Sequence, residues 1–166
     1  ELKKKNPAVR MLFRKAQNFG ERVDARGNTG LPGKVIAPLY DKLVFRQIRH
    51  KISPALRVMI SGGAPLHPVI HRFFRAMRIP IIEGYGLTET CSSVALNHLT
   101  APKIGAAGKP LENIRLRLAD DGEILVKGPI VMKGYFRNER ATREAIDDEG
   151  FLHTGDIGRL DTDGYL

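Results

Sequence analysis

Two short apolar runs, each followed by a glycine-rich stretch, constrain the fold of this chain more than any other feature. The runs cover residues 56–60 and 79–82, and an amphipathic segment with Pro68 near its start separates them. Proline suits the first turn of a helix, so the order is strand, helix, strand. The crossover in such a unit is right-handed and its strands are parallel. Both glycine-rich stretches should therefore emerge at one carboxyl edge of a sheet, where open α/β sheets bind ligands.

The residues before this unit have apolar side chains at helical spacing. Residues 8–19 and residues 37–51 each predict an amphipathic helix. Residues 20–34 lie between them and hold four glycines and a proline. That composition predicts a loop.

From about residue 100 the pattern changes to that of an antiparallel sheet. Apolar and polar residues alternate over residues 114–118, and Asp121-Gly122 predicts a hairpin turn into residues 123–127. Asn138 can cap a short helix. We therefore expect an α/β fold in which a parallel βαβ sheet segment precedes an antiparallel, β-rich, barrel-like segment.

The two patterns divide the chain into an α/β half-domain over residues 1–99 and a β-rich subdomain over residues 100–166. The β-rich subdomain would be truncated at its C-terminal end, because Asp163-Gly164 turns a hairpin whose return strand has barely begun. We expect the chain to be a piece of a larger protein.

Charge is distributed unevenly along the sequence. Residues 1–80 carry 17 Lys and Arg against 4 Asp and Glu, a net of +13, whereas residues 81–166 carry 10 against 14, a net of −4. A basic half fits nucleic acid, anionic lipid, an anionic cofactor or a solvated face. The basic residues are scattered through predicted helices without an aromatic recognition motif, so we expect no nucleic-acid partner. Peripheral contact with an anionic membrane stays open, and the oligomeric state is not readable from the sequence.

Cysteine usage and hydropathy bear on the compartment. Cys91 is the single cysteine and cannot form an internal disulfide, which favours a reducing, cytoplasmic compartment. No apolar stretch approaches the roughly 20 residues that a membrane span needs.

Residues 83–90 combine an aromatic ring, glycines and oxygen-bearing side chains. Tyr85 lies between two glycines and can stack on a base, while Thr88 and Glu89 offer oxygens to phosphate and magnesium. Magnesium prefers hard oxygen ligands and is usually held by one or two carboxylates plus substrate phosphates. Tyr85 could equally be a core aromatic, and Thr88 and Glu89 could begin an ordinary helix. The stretch nevertheless predicts part of a magnesium–nucleotide site.

A short glycine-rich stretch and one aspartate also fit a nucleotide ligand. Gly62, Gly63 and Ala64 let backbone approach a flat ligand, although a tight strand-to-helix turn would explain them as well. Asp156 lies in a predicted glycine-opened turn and can accept both hydroxyls of a ribose, although Asp in a turn is commonplace.

The histidines offer weaker alternatives. His67 and His71 are four residues apart, but a zinc site would need a third ligand and a general base, so we interpret them as surface or capping residues. His153, beside the predicted ribose position, is ambiguous. The sequence contains no Walker-type phosphate loop and no recognisable Ser-His-Asp arrangement.

Four motifs in a fixed order resemble the adenylate-forming enzymes, a superfamily of acyl-CoA synthetases, peptide-synthetase adenylation domains and luciferases. They cover residues 61–66, 83–90, 122–129 and 150–158. The amino-acid sequence of the second motif looks most like that of long-chain fatty-acid–CoA ligases. The resemblance implies an acid–thiol ligase that forms an acyl-adenylate from ATP and then a thioester. A fatty acyl-AMP ligase, another acid–CoA ligase and a non-catalytic nucleotide-binding module are the alternatives.

The resemblance also implies roles for individual residues. Tyr85 would stack on adenine, Thr88 would bond the α-phosphate, and Asp156 would take the ribose hydroxyls. Glu89 would help to hold Mg²⁺, which makes Thr88 and Glu89 the catalytic residues. The ligands would be ATP or AMP and Mg²⁺, with a fatty acid and coenzyme A as substrates. The residues implied in nucleotide binding are Gly62, Gly63, Ala64, Glu83, Gly84, Tyr85, Gly86, Thr88 and Asp156.

Two parts of such enzymes have no counterpart in this sequence. The Ser/Thr/Gly-rich phosphate loop would precede the chain, and the small C-terminal domain with its catalytic lysine would follow it. We therefore expect no acyl-adenylate from ATP and oleate when the 166-residue chain is tested alone.

Overall fold

The chain passes back and forth between two units along the sequence. The computed structural model describes residues 6–26 and 36–166. A helical unit contains the described residues up to Met59 together with His67–Ile81, and a β-rich unit contains Ile60–Leu66 together with Ile82–Leu166. The first glycine-rich stretch therefore belongs with the later, β-rich part of the chain. The domain boundary predicted near residue 100 stays a prediction.

Helices account for most of the helical unit. Helix α1 spans Pro7–Arg26, and α3 spans Pro68–Ala76. Between them, α-helical residues 36–40 continue into a π-helical segment, Asp41–Phe45, and then into α2, Arg46–Ile52. Each predicted helix is present, with bounds that differ by a few residues from the prediction.

Helix α3 begins at a side-chain cap. His67 Nδ1 accepts a hydrogen bond from the Val69 N–H at 3.2 Å, and Pro68 follows in the first turn. His67 is therefore a capping residue, as predicted. His71 is fully buried, so its prediction as a surface or capping residue is wrong. His71 lies one helical turn after His67 in the amphipathic helix α3, and it faces inward on the same side as Phe74.

Large apolar side chains form the core of the helical unit. Its buried members are Ala16, Val44, Phe45, Met77 and Ile79. Helices α1 and α3 approach so closely that a Cβ on Gly20 would lie 2.3 Å from the Ala76 carbonyl oxygen. Gly20 is therefore a helix-packing residue, and its prediction as part of a loop is wrong. Residues 21–26 of that predicted loop are also helical, because α1 continues to Arg26. The rest of the predicted loop, residues 27–34, lies outside the described residues.

An ion pair joins the π-helical segment to α2. Arg49 Nη1 lies 2.8 Å from Asp41 Oδ1 and also donates to the Met77 carbonyl oxygen at 3.0 Å. The hydrogen bond from Arg49 lowers the pKa of Asp41 below its usual range and outweighs the opposing effect of burial. Asp41 is thus held as a carboxylate at neutral pH.

Four strands form a mixed sheet in the order β1-β2-β3-β4. They span Met59–Ser61, Ile81–Gly86, Ser93–Leu96 and Lys109–Pro110. The β2–β3 and β3–β4 pairs are antiparallel, so β1–β2 is the parallel pair that the strand–helix–strand pattern predicts. The α/β fold class is confirmed.

Three further strands form an antiparallel sheet in the order β5-β6-β7. They span Arg115–Leu118, Glu123–Lys127 and Leu152–Ile157. The predicted hairpin is confirmed, with Leu116 opposite Val126. Helix α4, Glu139–Ala145, follows β6 and begins at Asn138, whose Oδ1 accepts from the Ala141 N–H at 3.1 Å. Within the described residues this sheet is open, since β5 and β7 each pair only with β6, so the barrel-like prediction is wrong.

Both apolar runs of the predicted βαβ unit differ from their observed strands. The first strand is β1, which is shorter than predicted, and its Ile60 is 61% exposed. Because β1 is an edge strand, it is not the buried strand expected from its composition. The second strand, β2, continues through Gly86. Much of the motif over residues 83–90 that predicts a nucleotide site therefore lies within a strand, because β3 supplies pairing partners for Gly84, Tyr85 and Gly86.

A helix that crosses a membrane must be both long and predominantly apolar. Among the helices of residues 6–26 and 36–166, none combines the length and the apolar character needed to cross a membrane.

Candidate functional site

The first glycine-rich stretch lies beside strand β2 in the β-rich unit. A Cβ on Gly62 would lie 3.3 Å from the Gly84 carbonyl oxygen, and Gly63 has a φ of +79° with open space around it. The Leu66 N–H donates to Glu83 Oε1 at 2.9 Å. Glu83, which is 6% exposed, thus ties the stretch to β2. The edge formed by Gly62–Ala64 leaves backbone accessible to a flat ligand.

Tyr85 connects this edge to the second sheet. Its hydroxyl donates to Asp156 Oδ2 at 2.7 Å, although the two residues are 71 positions apart in the sequence. Its half-buried ring packs against the core cluster of Val94, Ile124 and Val126. Burial raises the pKa of the Tyr85 phenol, and the Asp156 carboxylate adds to that rise. The side chain is therefore both a core contact and a neutral hydrogen-bond donor.

The glycines on either side of Tyr85 are required by the neighbouring strand. A Cβ on Gly86 would lie 2.3 Å from the Ser92 carbonyl oxygen, and one on Gly84 would lie 3.0 Å from Leu96 Cδ1. Close approach of β3 explains these two glycines independently of any ligand. The predicted role of Gly84 and Gly86 in nucleotide binding stays a prediction.

A short 3₁₀ helix, Thr88–Thr90, follows β2. Buried Thr90 holds the turn, because its Oγ1 accepts from the Leu87 N–H at 3.0 Å and lies 2.8 Å from the Ser92 carbonyl oxygen. Thr88 is exposed, so its hydroxyl is accessible to a ligand. Of the two threonines, Thr90 has the structural role and Thr88 is the better candidate for contact with phosphate.

Glu89 is held by a segment more than forty residues away. Its Oε1 accepts a hydrogen bond from the Tyr135 hydroxyl at 2.9 Å, and its carbonyl oxygen accepts from the Met132 N–H at 2.7 Å. Across the described ranges, no group of three or more His, Cys, Asp or Glu side chains is placed to hold a metal ion. One carboxylate fits a magnesium ion that arrives with the phosphates of a nucleotide.

Asp156 lies in strand β7, so the prediction that it sits in a turn is wrong. Neighbouring Gly155 has a φ of +72°, and its N–H donates to Glu123 Oε1 at 2.8 Å. The Thr154 hydroxyl donates to the Ile124 carbonyl oxygen at 2.7 Å. These contacts with β6 fix the backbone that presents the exposed Asp156 carboxylate.

His153 has partners on two sides. Its Nδ1 lies 2.9 Å from Glu123 Oε2, and its Nε2 lies 3.7 Å from Asp147 Oδ2. A hydrogen bond from the Phe151 backbone lowers the pKa of Asp147, and the charge of His153 contributes less. Among the described contacts, His153 therefore supports β7 through carboxylates and makes no contact with Asp156.

The β-rich unit brings together the predicted residues from three separate segments. A hydrogen bond links Tyr85 to Asp156, and Gly62 lies so near Gly84 that an added Cβ would touch its carbonyl oxygen. Sequence reasoning missed the supporting side chains Thr90, Glu123 and Tyr135. The quoted motifs contain the first two, but no local pattern distinguishes a supporting group from a ligand-binding one. Tyr135 has no signal in the sequence, because its contact with Glu89 is made only in the folded chain.

Comparison with known proteins gives one consistent family. The family model described as AMP-binding enzyme matches residues 8–136. Long-chain-fatty-acid–CoA ligase FadD15 of Mycobacterium bovis is 44% identical over 151 residues, which is 91% of this chain and 25% of that protein. A 2-succinylbenzoate–CoA ligase of Bacillus cereus is 41% identical over 145 residues, which is 80% of this chain and 30% of that protein.

A solved structure gives the same result for the fold. O-succinylbenzoate coenzyme A synthetase from Bacillus subtilis, in complex with ATP and magnesium ion, matches with a TM-score of 0.61 and 37% identity. The match covers 66% of this chain and 25% of that one. The chain thus spans about a quarter of the length of the curated relatives and the solved structure that it matches.

Proposed function

The chain belongs to the AMP-binding enzyme family, and we propose that the whole protein is an ATP-dependent long-chain fatty-acid–CoA ligase. In the first half-reaction a fatty carboxylate oxygen attacks the α-phosphorus of ATP, and the bond to pyrophosphate breaks. In the second, the thiol of coenzyme A loses its proton and attacks the acyl carbon, and AMP leaves. The products are an acyl-CoA thioester, AMP and pyrophosphate.

The hydrogen bond between Tyr85 and Asp156 carries this proposal. It joins, at 2.7 Å, the aromatic residue proposed to stack on adenine and the carboxylate proposed to bind ribose. The stretch Gly62–Ala64 adds an open backbone edge next to β2. A nucleoside has a flat base and a vicinal diol, and these three features are complementary to it.

The reaction needs positioning and charge stabilisation more than a protein nucleophile. The hydroxyl of exposed Thr88 is proposed to donate a hydrogen bond to an α-phosphate oxygen. Glu89 is proposed to hold the magnesium ion of the nucleotide, which supplies positive charge beside the phosphates. Asp156 is proposed to orient the ribose. We propose that the phosphate loop and the catalytic lysine implied by the family resemblance belong to other parts of the protein.

Mass spectrometry of the full-length protein tests the proposal. Incubation with Mg²⁺, ATP, oleate and coenzyme A should yield oleoyl-CoA and AMP, and omission of coenzyme A should leave oleoyl-AMP. Asp156→Ala should raise the KM for ATP and lower turnover by roughly 10- to 100-fold, because it removes the carboxylate proposed to orient the ribose. Each factor of ten corresponds to about 1.4 kcal/mol of activation free energy. Absence of both acyl products from oleate and from shorter acids would reject the proposal.

Another acid–CoA ligase is the second candidate. The 41% identity to a 2-succinylbenzoate–CoA ligase supports it. Competition between oleate and o-succinylbenzoate in the same reaction, with the two thioesters quantified together, distinguishes these substrates. A fatty acyl-AMP ligase would instead accumulate the acyl-adenylate in the presence of coenzyme A. A non-catalytic nucleotide-binding module would retain AMP binding without either product.

Location in the cytoplasm, with peripheral contact to anionic membrane, is part of the same proposal. The net charge of +13 over residues 1–80 supports it, because basic surfaces are attracted to anionic lipid headgroups. The full-length protein should sediment with phosphatidylserine vesicles at low salt and be released as salt rises. Equal sedimentation with neutral vesicles would count against a charge-driven contact.

A further inference from the structure

We propose that Tyr135 is a positioning residue that fixes the Glu89 carboxylate in the orientation needed for a magnesium–nucleotide complex. This inference rests on the proposed function, because it assigns a purpose to Glu89 in that site. Tyr135 lies in none of the positions proposed to contact substrate.

The first support is that one short segment holds Glu89 at two points. The Tyr135 hydroxyl bonds the side chain at 2.9 Å, and the Met132 N–H bonds the main-chain carbonyl oxygen at 2.7 Å. A carboxylate attached to a single turn of 3₁₀ helix would otherwise rotate about its side-chain bonds. Two contacts from the same segment restrict both the backbone and the carboxylate.

The second support is that Tyr135 is itself held in place. Its N–H donates to Thr142 Oγ1 at 2.9 Å, and that hydroxyl donates to the Asn138 carbonyl oxygen at 2.8 Å. Gly134, with a φ of +145°, allows the segment to pass so close that a Cβ there would lie 2.6 Å from Thr142 Cγ2. The start of α4 therefore sets the position of the Tyr135 backbone.

The third support is the chemistry of the donor. A phenol is neutral, so it orients the carboxylate without cancelling its charge, as a lysine or arginine would. The Tyr135 hydroxyl donates the hydrogen bond to Glu89 Oε1. A carboxylate has about four acceptor positions, which leaves the others for a cation.

The test uses the full-length protein and a matched pair of variants. Tyr135→Phe removes only the hydroxyl that reaches Glu89. Tyr165→Phe makes the same chemical change at a ring that lies over Lys103 and Lys109 in the same unit. Glu89→Gln, alone and combined with Tyr135→Phe, completes a double-mutant cycle. Thr142→Val provides a second, indirect way to loosen Tyr135.

Two readouts are needed. The first is hydrogen–deuterium exchange of peptides containing residues 87–91 and 132–135, measured without Mg²⁺ or nucleotide. The second is the Mg²⁺ concentration that gives half-maximal ATP–pyrophosphate exchange. We expect Tyr135→Phe to accelerate amide exchange in both peptides and to raise the Mg²⁺ requirement about 10-fold, as outer partners of metal ligands typically do. Thr142→Val should act in the same direction with a smaller effect, and Tyr165→Phe should match the wild type.

The outcomes separate the two proposals. In the Glu89→Gln background the effect of Tyr135→Phe on the Mg²⁺ requirement should disappear; an effect of equal size there would overturn the positioning role. The same conclusion follows if Tyr135→Phe and Tyr165→Phe are indistinguishable in both readouts. If the wild type forms no acyl-adenylate, the proposed function fails, whereas the amide-exchange comparison of Tyr135→Phe with the wild type still decides whether Tyr135 holds Glu89. If Tyr135→Phe does not fold, an unchanged exchange pattern in Thr142→Val overturns the inference.

Discussion

The helical unit and the β-rich unit are stabilised in different ways. Aromatic rings such as Phe13 and Phe73, whose centroids lie 6.3 Å apart, pack around the apolar core of the helical unit. In the β-rich unit, the carboxylates of Glu83 and Glu123 accept hydrogen bonds from backbone N–H groups of other segments. All nine predicted nucleotide-binding residues belong to the β-rich unit. The predicted ligand-binding residues therefore lie in the unit where side-chain carboxylates hold the backbone of neighbouring segments beside an apolar core.

The largest expected effect comes from the apolar core. Met77 is 2% exposed in the helical unit, so Met77→Ala should lower the free energy of unfolding by about 2–5 kcal/mol through lost burial and a cavity. Chemical denaturation of the full-length protein measures this loss. The affinity of the folded fraction for AMP should not change. A weaker AMP affinity at a temperature where the variant is folded would contradict the division between the two units.

The next effect tests the glycine beside Tyr85. Gly86→Ala should cost about 1–3 kcal/mol or more, since its Cβ would meet the Ser92 carbonyl oxygen at 2.3 Å. Gly105→Ala is the matched control, because that position has open space, no predicted contact with the nucleotide and a strained φ of +84°, which costs about 1–2 kcal/mol. We expect Gly86→Ala to lower both the melting temperature and AMP affinity. A melting temperature equal to that of the control would show that β3 can move away.

A smaller effect separates the two contacts of Tyr85. Tyr85→Phe keeps the ring on the core cluster and removes the hydrogen bond to Asp156, so stability should fall by about 0.5–1.5 kcal/mol. The phenylalanine ring could still stack on adenine, so AMP affinity should change less than about 3-fold. Titration calorimetry measures this affinity. Tyr85→Ala should weaken AMP binding much more. Equal affinities for the two variants would remove the ring from the proposed site.

The smallest effect is a pH dependence in the helical unit. The pKa of Asp41 is lowered on folding, so its contribution to stability is present above the ordinary carboxyl range and is lost as the pH falls through the folded value. Asp41→Asn should therefore be less stable at neutral pH, by no more than about 1 kcal/mol for a partly exposed pair. Urea unfolding should show this difference narrowing toward acid pH. A constant difference at all pH values would mean that charge is not its origin.

The sequence predicted those parts of the fold that depend on local signals. Pro68 and Asn138 mark helix starts, and Asp121-Gly122 marks a hairpin, because each acts through its own backbone neighbours. The extension of β2 through Gly86 was not predictable in this way. Two glycines around a tyrosine look like a loop until β3 pairs with them.

The candidate site shows the same limit: its motif residues were predictable, and their hydrogen-bond partners were not. The motifs predicted that Tyr85, Glu89 and Asp156 serve one ligand, and the structure locates all three in the β-rich unit. Their partners were beyond reach, because a hydrogen bond such as that from Tyr135 to Glu89 depends on how two distant segments pack. Burial of His71 was missed for a related reason: a polar side chain on a helix gives no indication that it faces inward.

The interleaving of the two units has a consequence for biosynthesis. Ile60–Leu66 is made early but belongs to the unit whose remaining residues, Ile82–Leu166, are translated afterwards. The helices of a nascent chain can pack together before the strands that pair with the glycine-rich stretch have left the ribosome. At a typical elongation rate of about 5–20 residues per second, that interval lasts several seconds. During it, the residues that later form β1 have no strand to pair with, and translational pausing downstream of this stretch would lengthen their exposure.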